Sequence, residues 1–268
     1  MAVESSSVSG RMAELREQKR GAFIPFITAG DPDIETTEQA LLALNRAGAD
    51  IIELGVPYSD PLADGPTIQA ASTRALANGT TLDKVINAVS RVSPHITAPI
   101  VLFTYYNIIM RRGPEKFCQE IKAAGAAGLL VPDIPLEETG PIREIATAAG
   151  LELVLLTTPT TPQPRMEAIA KASQGFVYLV SVTGVTGQRT SMEARVEGLI
   201  EQLHQITDKS VAVGFGVSGP EQARQIMAWG SEGVIVGSAL VKALGEAPTP
   251  KEGLERMEAL ARSIREAI

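Results

Sequence analysis

Eight short, almost unbroken apolar runs limit what this chain can fold into more than any other feature. They are AFIPFITA (22–29), ADIIELGV (49–56), PIVLFTYY (99–106), GLLVPD (128–133), LELVLLTT (151–158), FVYLVS (176–181), SVAVGFG (210–216) and GVIVGSAL (233–240). A strand exposed on one face alternates apolar with polar residues. A run apolar on both faces suits a parallel strand covered on both sides. Stretches of helical character separate the runs, at 34–47, 66–77, 81–92, 114–124, 138–149, 163–173, 193–206 and 220–229, with a terminal one at 251–267. Gly48, Gly125, Gly150 and Gly230 each follow such a stretch, where a left-handed residue ends a helix at little cost. Ser218 and Glu221 have capping-box spacing, with Pro220 near the first turn, and Thr161 precedes Pro162 in the same way.

Strand and helix thus alternate eight times, and no Pro/Gly/Ser-rich linker divides the chain. An open doubly wound sheet would usually break into two halves around a crevice. The pattern predicts an α/β fold, a single (β/α)8 TIM barrel over residues 1–268, with residues 1–10 a short mobile N-terminal arm. In such a barrel chemistry belongs at the C-terminal ends of the strands and in the loops that follow them.

The composition removes several function classes. Lys and Arg number 24 against 31 Asp and Glu, a formal charge of −7, which ill suits a duplex-binding surface. No run approaches the roughly 18 apolar residues of a spanning helix. The single cysteine, Cys118, excludes an intrachain disulfide framework and reads as a packing residue, and His95 and His204 lie too far apart in sequence to suggest a metal site. Neither nucleic acid, membrane nor metal is therefore expected. The opening MAVESSSVSG lacks both the apolar run of a secretion signal and the basic character of a transit segment. A reducing, cytoplasmic setting is expected, or a plastid stroma if a transit segment has been removed.

Glu53 interrupts the second apolar run. A carboxylate facing the helix layer would cost several kcal/mol, so Glu53 is expected to face the barrel interior near the mouth. Partial desolvation there raises its pKa toward the range useful for proton transfer. Pairing with a nearby arginine is the structural alternative. The following loop, 55–70, carries Asp60 and Asp64 among prolines and glycines. Singly, each suits a turn or a helix cap. With Glu53 they make two or three carboxylates converging on one mouth, able to divide acid, base and orienting roles. Three glycine-rich loops close the last third: SVTGVTGQRTS (181–191), GFGVSG (214–219) and GSAL (237–240). Backbone amides in such turns, and at a helix N-terminus, bind phosphate without needing a lysine. Gly214, Gly216 and Gly219 also spell a dinucleotide fingerprint, but in the seventh unit, with Glu232 before the next strand rather than at its end. Phe26, Phe103, Tyr105 and Tyr178 fall at or near strand ends, where they either line a pocket or fill the core.

FIPFITAGDPD (23–33), ELGVPYSDPLADGPTIQ (53–69), GVTG (184–187), GFGVS (214–218) and GVIVGSA (233–239) resemble the tryptophan synthase alpha-chain family, over nearly the whole length from about residue 11. The resemblance implies a (β/α)8 barrel that cleaves indole-3-glycerol phosphate to indole and glyceraldehyde 3-phosphate by a retro-aldol reaction. It implies Glu53 as general acid and base, and Asp64 as acceptor of the indole N–H. Thr186 would position Asp64 when the loop at 182–192 closes. Gly187, Phe215, Gly216, Gly237 and Ser238 would surround the phosphate, and Phe26, Phe103, Tyr105 and Tyr178 the indole. Some members carry an arginine where this chain has Val182, so phosphate binding is expected to lean on amides. No cofactor is expected in this chain. Pyridoxal phosphate belongs to a partner beta chain in an alpha2beta2 heterotetramer, touched through the loop of Asp60 and Pro61 and the segment of Pro132 and Asp133. A stand-alone lyase, a sugar-phosphate isomerase or epimerase, and a non-catalytic barrel are the alternatives.

Overall fold

The first strand, β1 (Ala22–Thr28), is buried along its whole length, and so are β2 (Ile52–Gly55), β3 (Ile100–Phe103), β4 (Ala126–Leu130), β7 (Val211–Gly214) and β8 (Gly233–Val236). The strands β5 (Glu152–Thr157) and β6 (Val177–Val180) are buried over most of theirs. This is a computed structural model, which describes residues 7–180, 189–214 and 216–268, with the backbone alone over 189–194. Every strand pairs in parallel with the next, and β8 returns to β1. Burial on both faces explains why the sequence shows apolar runs rather than alternation.

The expected strand–helix alternation of a single (β/α)8 TIM barrel is corrected by this arrangement. What closes is the sheet, an all-parallel eight-stranded barrel in sequential order. The helices do not alternate with it one for one. Helix α1 (Val8–Glu17) precedes β1, and α2 (Ile34–Arg46) follows it. Two helices, α3 (Pro66–Ala77) and α4 (Leu82–Val92), follow β2, and two more, α5 (Tyr106–Arg112) and α6 (Pro114–Ala123), follow β3. Single α-helices, α7 (Thr139–Ala148), α8 (Gln163–Ala172), α9 (Arg189–Ile206) and α10 (Pro220–Ala228), follow the next four strands. Two, α11 (Ser238–Gly245) and α12 (Pro250–Arg265), follow β8. Only the strands are under the geometric demand of closure, so helices can be added wherever an open end or edge needs cover.

Helix α1 shows this. Val8, Met12 and Leu15 are buried and join the barrel-interior cluster with Ala22, Ile24, Ile51 and Phe176. They stop the N-terminal end of the barrel. The expected mobile arm is corrected at Val8–Gly10, which form the first turn of α1 capped by the Ser7 hydroxyl; residues 1–6 lie outside the described ones. Asp50, almost wholly buried, locks this end. Its carboxylate accepts from the Phe23 N–H (3.0 Å), Arg11 (2.6 Å) and Arg265 (2.9 Å), joining α1 and α12 to the strands.

Two expected caps are also corrected. Helix α10 is capped by Gly219, without a side-chain bond, and α8 follows Pro162. Thr161 instead accepts the Thr158 N–H, and Ser218 is left free of the helix end. Glu232 accepts the Val211 N–H and pairs with His204 (3.1 Å) before β8 begins, which removes it from any ribose-binding role. His95 is exposed, and Cys118 is buried on α6 with its thiol pushed up to about 11 by desolvation.

Candidate active site

Alternation along β2 turns Ile51, Glu53 and Gly55 inward and sends Ile52 and Leu54 to the helix layer. Register sets Glu53 between Phe26 of β1 and Val101 of β3. Glu53 is 1% exposed, and among the described residues its Oε1 is buried without a hydrogen-bond partner. Desolvation raises its pKa to about 8, with no cation to oppose it. The arginine-paired alternative is therefore excluded among the described residues, and the carboxyl is mostly protonated at neutral pH.

Above Glu53 lies a cavity of about 480 Å³, within the usual size of small-molecule sites. Phe26 and Phe103 form its apolar wall, edge to face with centroids 5.4 Å apart. Tyr178 closes the opposite side, its hydroxyl pushed well above its ordinary range by burial and by the charges of Glu53 and Asp64. Small residues make room for these rings. A Cβ at Gly55 would stand 2.6 Å from the Phe26 Cζ, and one at Gly214 would stand 2.7 Å from the Tyr178 Cζ. Glycines at the ends of β2 and β7 thus let aromatics of the neighbouring strands lie across the mouth.

Asp64 reaches the cavity from the β2–α3 loop. It is half-buried, and desolvation raises its pKa to about 6 against an opposing pull from the Tyr105 hydroxyl. Asp64 does not cap α3, whose N-cap is Gly65. Asp60 is exposed and does not line the cavity, so two carboxylates converge, not three. Tyr105 also stands outside it. Its hydroxyl accepts the Ala63 N–H (3.1 Å) and its ring stacks on Tyr58 at 5.0 Å. Tyr105 is not among the described residues lining the cavity: the β3 run ends at Phe103, and Tyr105 has already turned toward α5.

The far wall is a cup of main chain. Gly216 takes φ +82° after β7, a conformation that favours glycine, and leads into Val217 and Ser218. Gly237 follows β8 as the N-cap of α11, and Ser238 and Ala239 open that helix's first turn, where amides lack intrahelical acceptors. A Cβ on Gly237 would meet only ordinary contacts, 3.5 Å to Phe26 and 3.8 Å to Ile68, so no close packing excludes a side chain there and its absence leaves the amides of the cup open. Lys242 stands one turn along α11 and is the one cation lining the cavity among the described residues.

Sequence reasoning missed Thr67, Ile68, Ile235, Lys242 and Leu260, and gave Val217, Ser218 and Ala239 only as members of the glycine-rich loops. Lys242 had a signal, since i and i+4 from Ser238 share a helix face. Leu260 had none, because α12 reaches the mouth only through tertiary packing. Thr186, Gly187, Phe215 and Val182 lie outside the described residues, as does most of the loop expected over 182–192. Helix α9 already begins at Arg189. No cluster of three or more metal-ligating side chains occurs among the described residues, and no helix there is long and apolar enough to cross a membrane.

The sequence model of the tryptophan synthase alpha chain matches residues 12–268. The chain belongs to the tryptophan synthase alpha chain family. The tryptophan synthase alpha chain of Picosynechococcus sp. is 60% identical over 98% of this chain and 99% of its own length. That of Arabidopsis thaliana is 54% identical, over 97% and 95%. The crystal structure of tryptophan synthase subunit alpha from Legionella pneumophila superposes with a TM-score of 0.88 at 34% identity, covering 97% of each chain. A Mycobacterium tuberculosis tryptophan synthase structure gives 0.88 at 36%, covering 99% of each.

Proposed function

We propose that Glu53 and Asp64 divide the proton work in the reaction of this family's alpha chain, the retro-aldol cleavage of indole-3-glycerol phosphate to indole and D-glyceraldehyde 3-phosphate. The observation that carries this is one cavity holding a buried Glu53 whose pKa desolvation raises, a half-buried Asp64, an aromatic wall and an amide-lined cup. Glu53, protonated at neutral pH, gives its proton to indole C3. Positive charge then develops on the ring nitrogen, and ionised Asp64 accepts the N–H hydrogen bond that stabilises it. The resulting Glu53 carboxylate takes the proton of the glycerol hydroxyl next to the ring. The O–H electrons form the aldehyde, the carbon–carbon bond breaks, and its electron pair restores the aromatic indole. Glu53 ends protonated, so the cycle closes.

The cup supports phosphate binding at Gly216, Gly237 and Ser238, with Ser218, Ala239 and Lys242 added to the expected set. Phe26, Phe103 and Tyr178 flank the indole. The partner is a pyridoxal-phosphate beta chain in an alpha2beta2 assembly, which takes up the released indole. Its docking face is the loop of Asp60 and Pro61 with the segment of Pro132 and Asp133. Leu62 on that loop and Met110 on α5 are among the few large apolar side chains left exposed. The experiment is indole release from indole-3-glycerol phosphate, with and without beta chain. Activation by the partner, and a loss of at least about 10²-fold in Glu53→Gln, are expected. High solo turnover that the partner leaves unchanged would reject the subunit reading, and near-normal turnover in Glu53→Gln would reject the role of Glu53.

A further inference from the structure

Tyr105 has a position that the reaction above does not use. It is buried, outside the cavity, at the N-cap of α5. Its hydroxyl accepts the N–H of Ala63, the residue before Asp64, at 3.1 Å. The ring of Tyr58 stacks on it, tilted by 27°, and Asn107 donates to the Tyr58 hydroxyl at 3.0 Å. Asp133 accepts the Tyr106 N–H at 2.9 Å and anchors the same helix start. The turn carrying Asp64 is tied on its other side too, by Asp64 N–H to the Pro61 carbonyl and by Gln69 to the Asp64 carbonyl. A loop rich in proline and glycine is thus held at the peptide that precedes its functional carboxylate.

We propose that Tyr105 is a positioning residue for Asp64: its hydroxyl clamps the Ala63 amide and turns its own proton toward the carboxylate, so that Asp64 stays ionised and aimed into the cavity. A phenol that has already accepted an amide proton keeps its O–H free to donate, and Asp64 is the group it faces. The other ionisable groups around Asp64 do not supply this. Glu53 of β2 lines the same cavity and, once ionised, opposes a second negative charge, while the Tyr178 hydroxyl of β6 is itself held protonated by burial and by the charges of Glu53 and Asp64. Lys242 of α11 lines it from the cup side, and Asp133 beyond Tyr105 is a further carboxylate. Asp60, on the same loop, is exposed. This inference deepens the reading of Asp64 as the ring-nitrogen acceptor and rests on it, but its test does not.

Tyr105→Phe keeps the ring and its stacking and removes only the hydroxyl. The Asp64 carboxyl is titrated by NMR in the full chain labelled with 13C-aspartate, without substrate, using Asp64→Asn to assign the signal. The midpoint is expected to rise by about one pH unit, the order of one hydrogen bond to a charged group. The acid limb of kcat/KM should rise with it, so that the loss is several-fold near pH 6 and much smaller near pH 8. A merely structural role would lower thermal stability and leave the midpoint in place, and an unmoved midpoint overturns the proposal. A moved midpoint in a chain that releases no indole supports the positioning role while rejecting the lyase reading. If Tyr105→Phe does not fold, Tyr58→Leu is titrated in its place: an upward move supports the proposal and no move overturns it.

Discussion

Replacing Glu53 by glutamine should make the chain progressively more stable relative to wild type as the pH rises. The folded carboxyl has a pKa of about 8, raised from an ordinary 4.5 by desolvation alone. Between those values the folded state binds a proton that the unfolded state has released. Stability therefore falls as pH rises through this window, and the fall is complete above the folded pKa. The full span is 3.5 pH units, which at about 1.36 kcal/mol each comes to about 5 kcal/mol. Between about pH 5 and pH 9 the change is about 4 kcal/mol, because the unfolded carboxyl is already mostly ionised at the lower pH. Glutamine has the same shape and does not titrate. The difference in unfolding free energy, variant minus wild type, should grow by that amount across the range, while any fixed cost of burying the amide cancels. The assay is urea unfolding of both chains at several pH values with a common m-value. A difference that stays flat within about 1 kcal/mol would mean that the folded carboxylate is hydrated or paired, and the reasoning on Glu53 would fail. A gain of this size is a sizeable part of the 5–15 kcal/mol typical of a domain, and shows what a buried acid at a working site costs.

Three further outcomes are expected. Asp64→Asn should lower turnover and abolish the acid limb that its raised pKa, about 6, places in the kcat/KM profile; an unchanged profile in that variant would remove the assignment. Gly237→Asp should weaken binding of inorganic phosphate and raise KM, because it sets a carboxylate over the amides of Ser238 and Ala239; calorimetric phosphate titration with unchanged affinity would count against the cup. Asp50→Ala should destabilise by about 3–5 kcal/mol, since it strands Arg11, Arg265 and the Phe23 N–H at the closed end of the barrel. It should leave indole release intact in the protein that remains folded, and denaturant unfolding with a matched activity assay checks both.

Order along the chain already carried the eight buried parallel strands, because apolar character on both faces is a local property of each run. It also carried the inward turn of Glu53, because a period of two and the cost of a carboxylate among helices leave it no other side. The glycines at 55, 214 and 237 were visible as residues, and their purpose was not: Phe26 lies over Gly55 and Tyr178 over Gly214 only once neighbouring strands are in register. Helix α1 gave little sign of itself, since its three core residues gain their value by stopping a barrel end that exists only in the folded chain. The same holds for Tyr105. As a strand-end aromatic it reads like Phe103, yet the start of α5, fixed by Asp133 from another strand's loop, takes it out of the cavity and behind Asp64. Local pattern sets which residues can be strands and which faces must be dry. Which side chains meet around one cavity, drawn from positions as distant as 26 and 260, is decided by packing free energies that no short stretch of sequence contains.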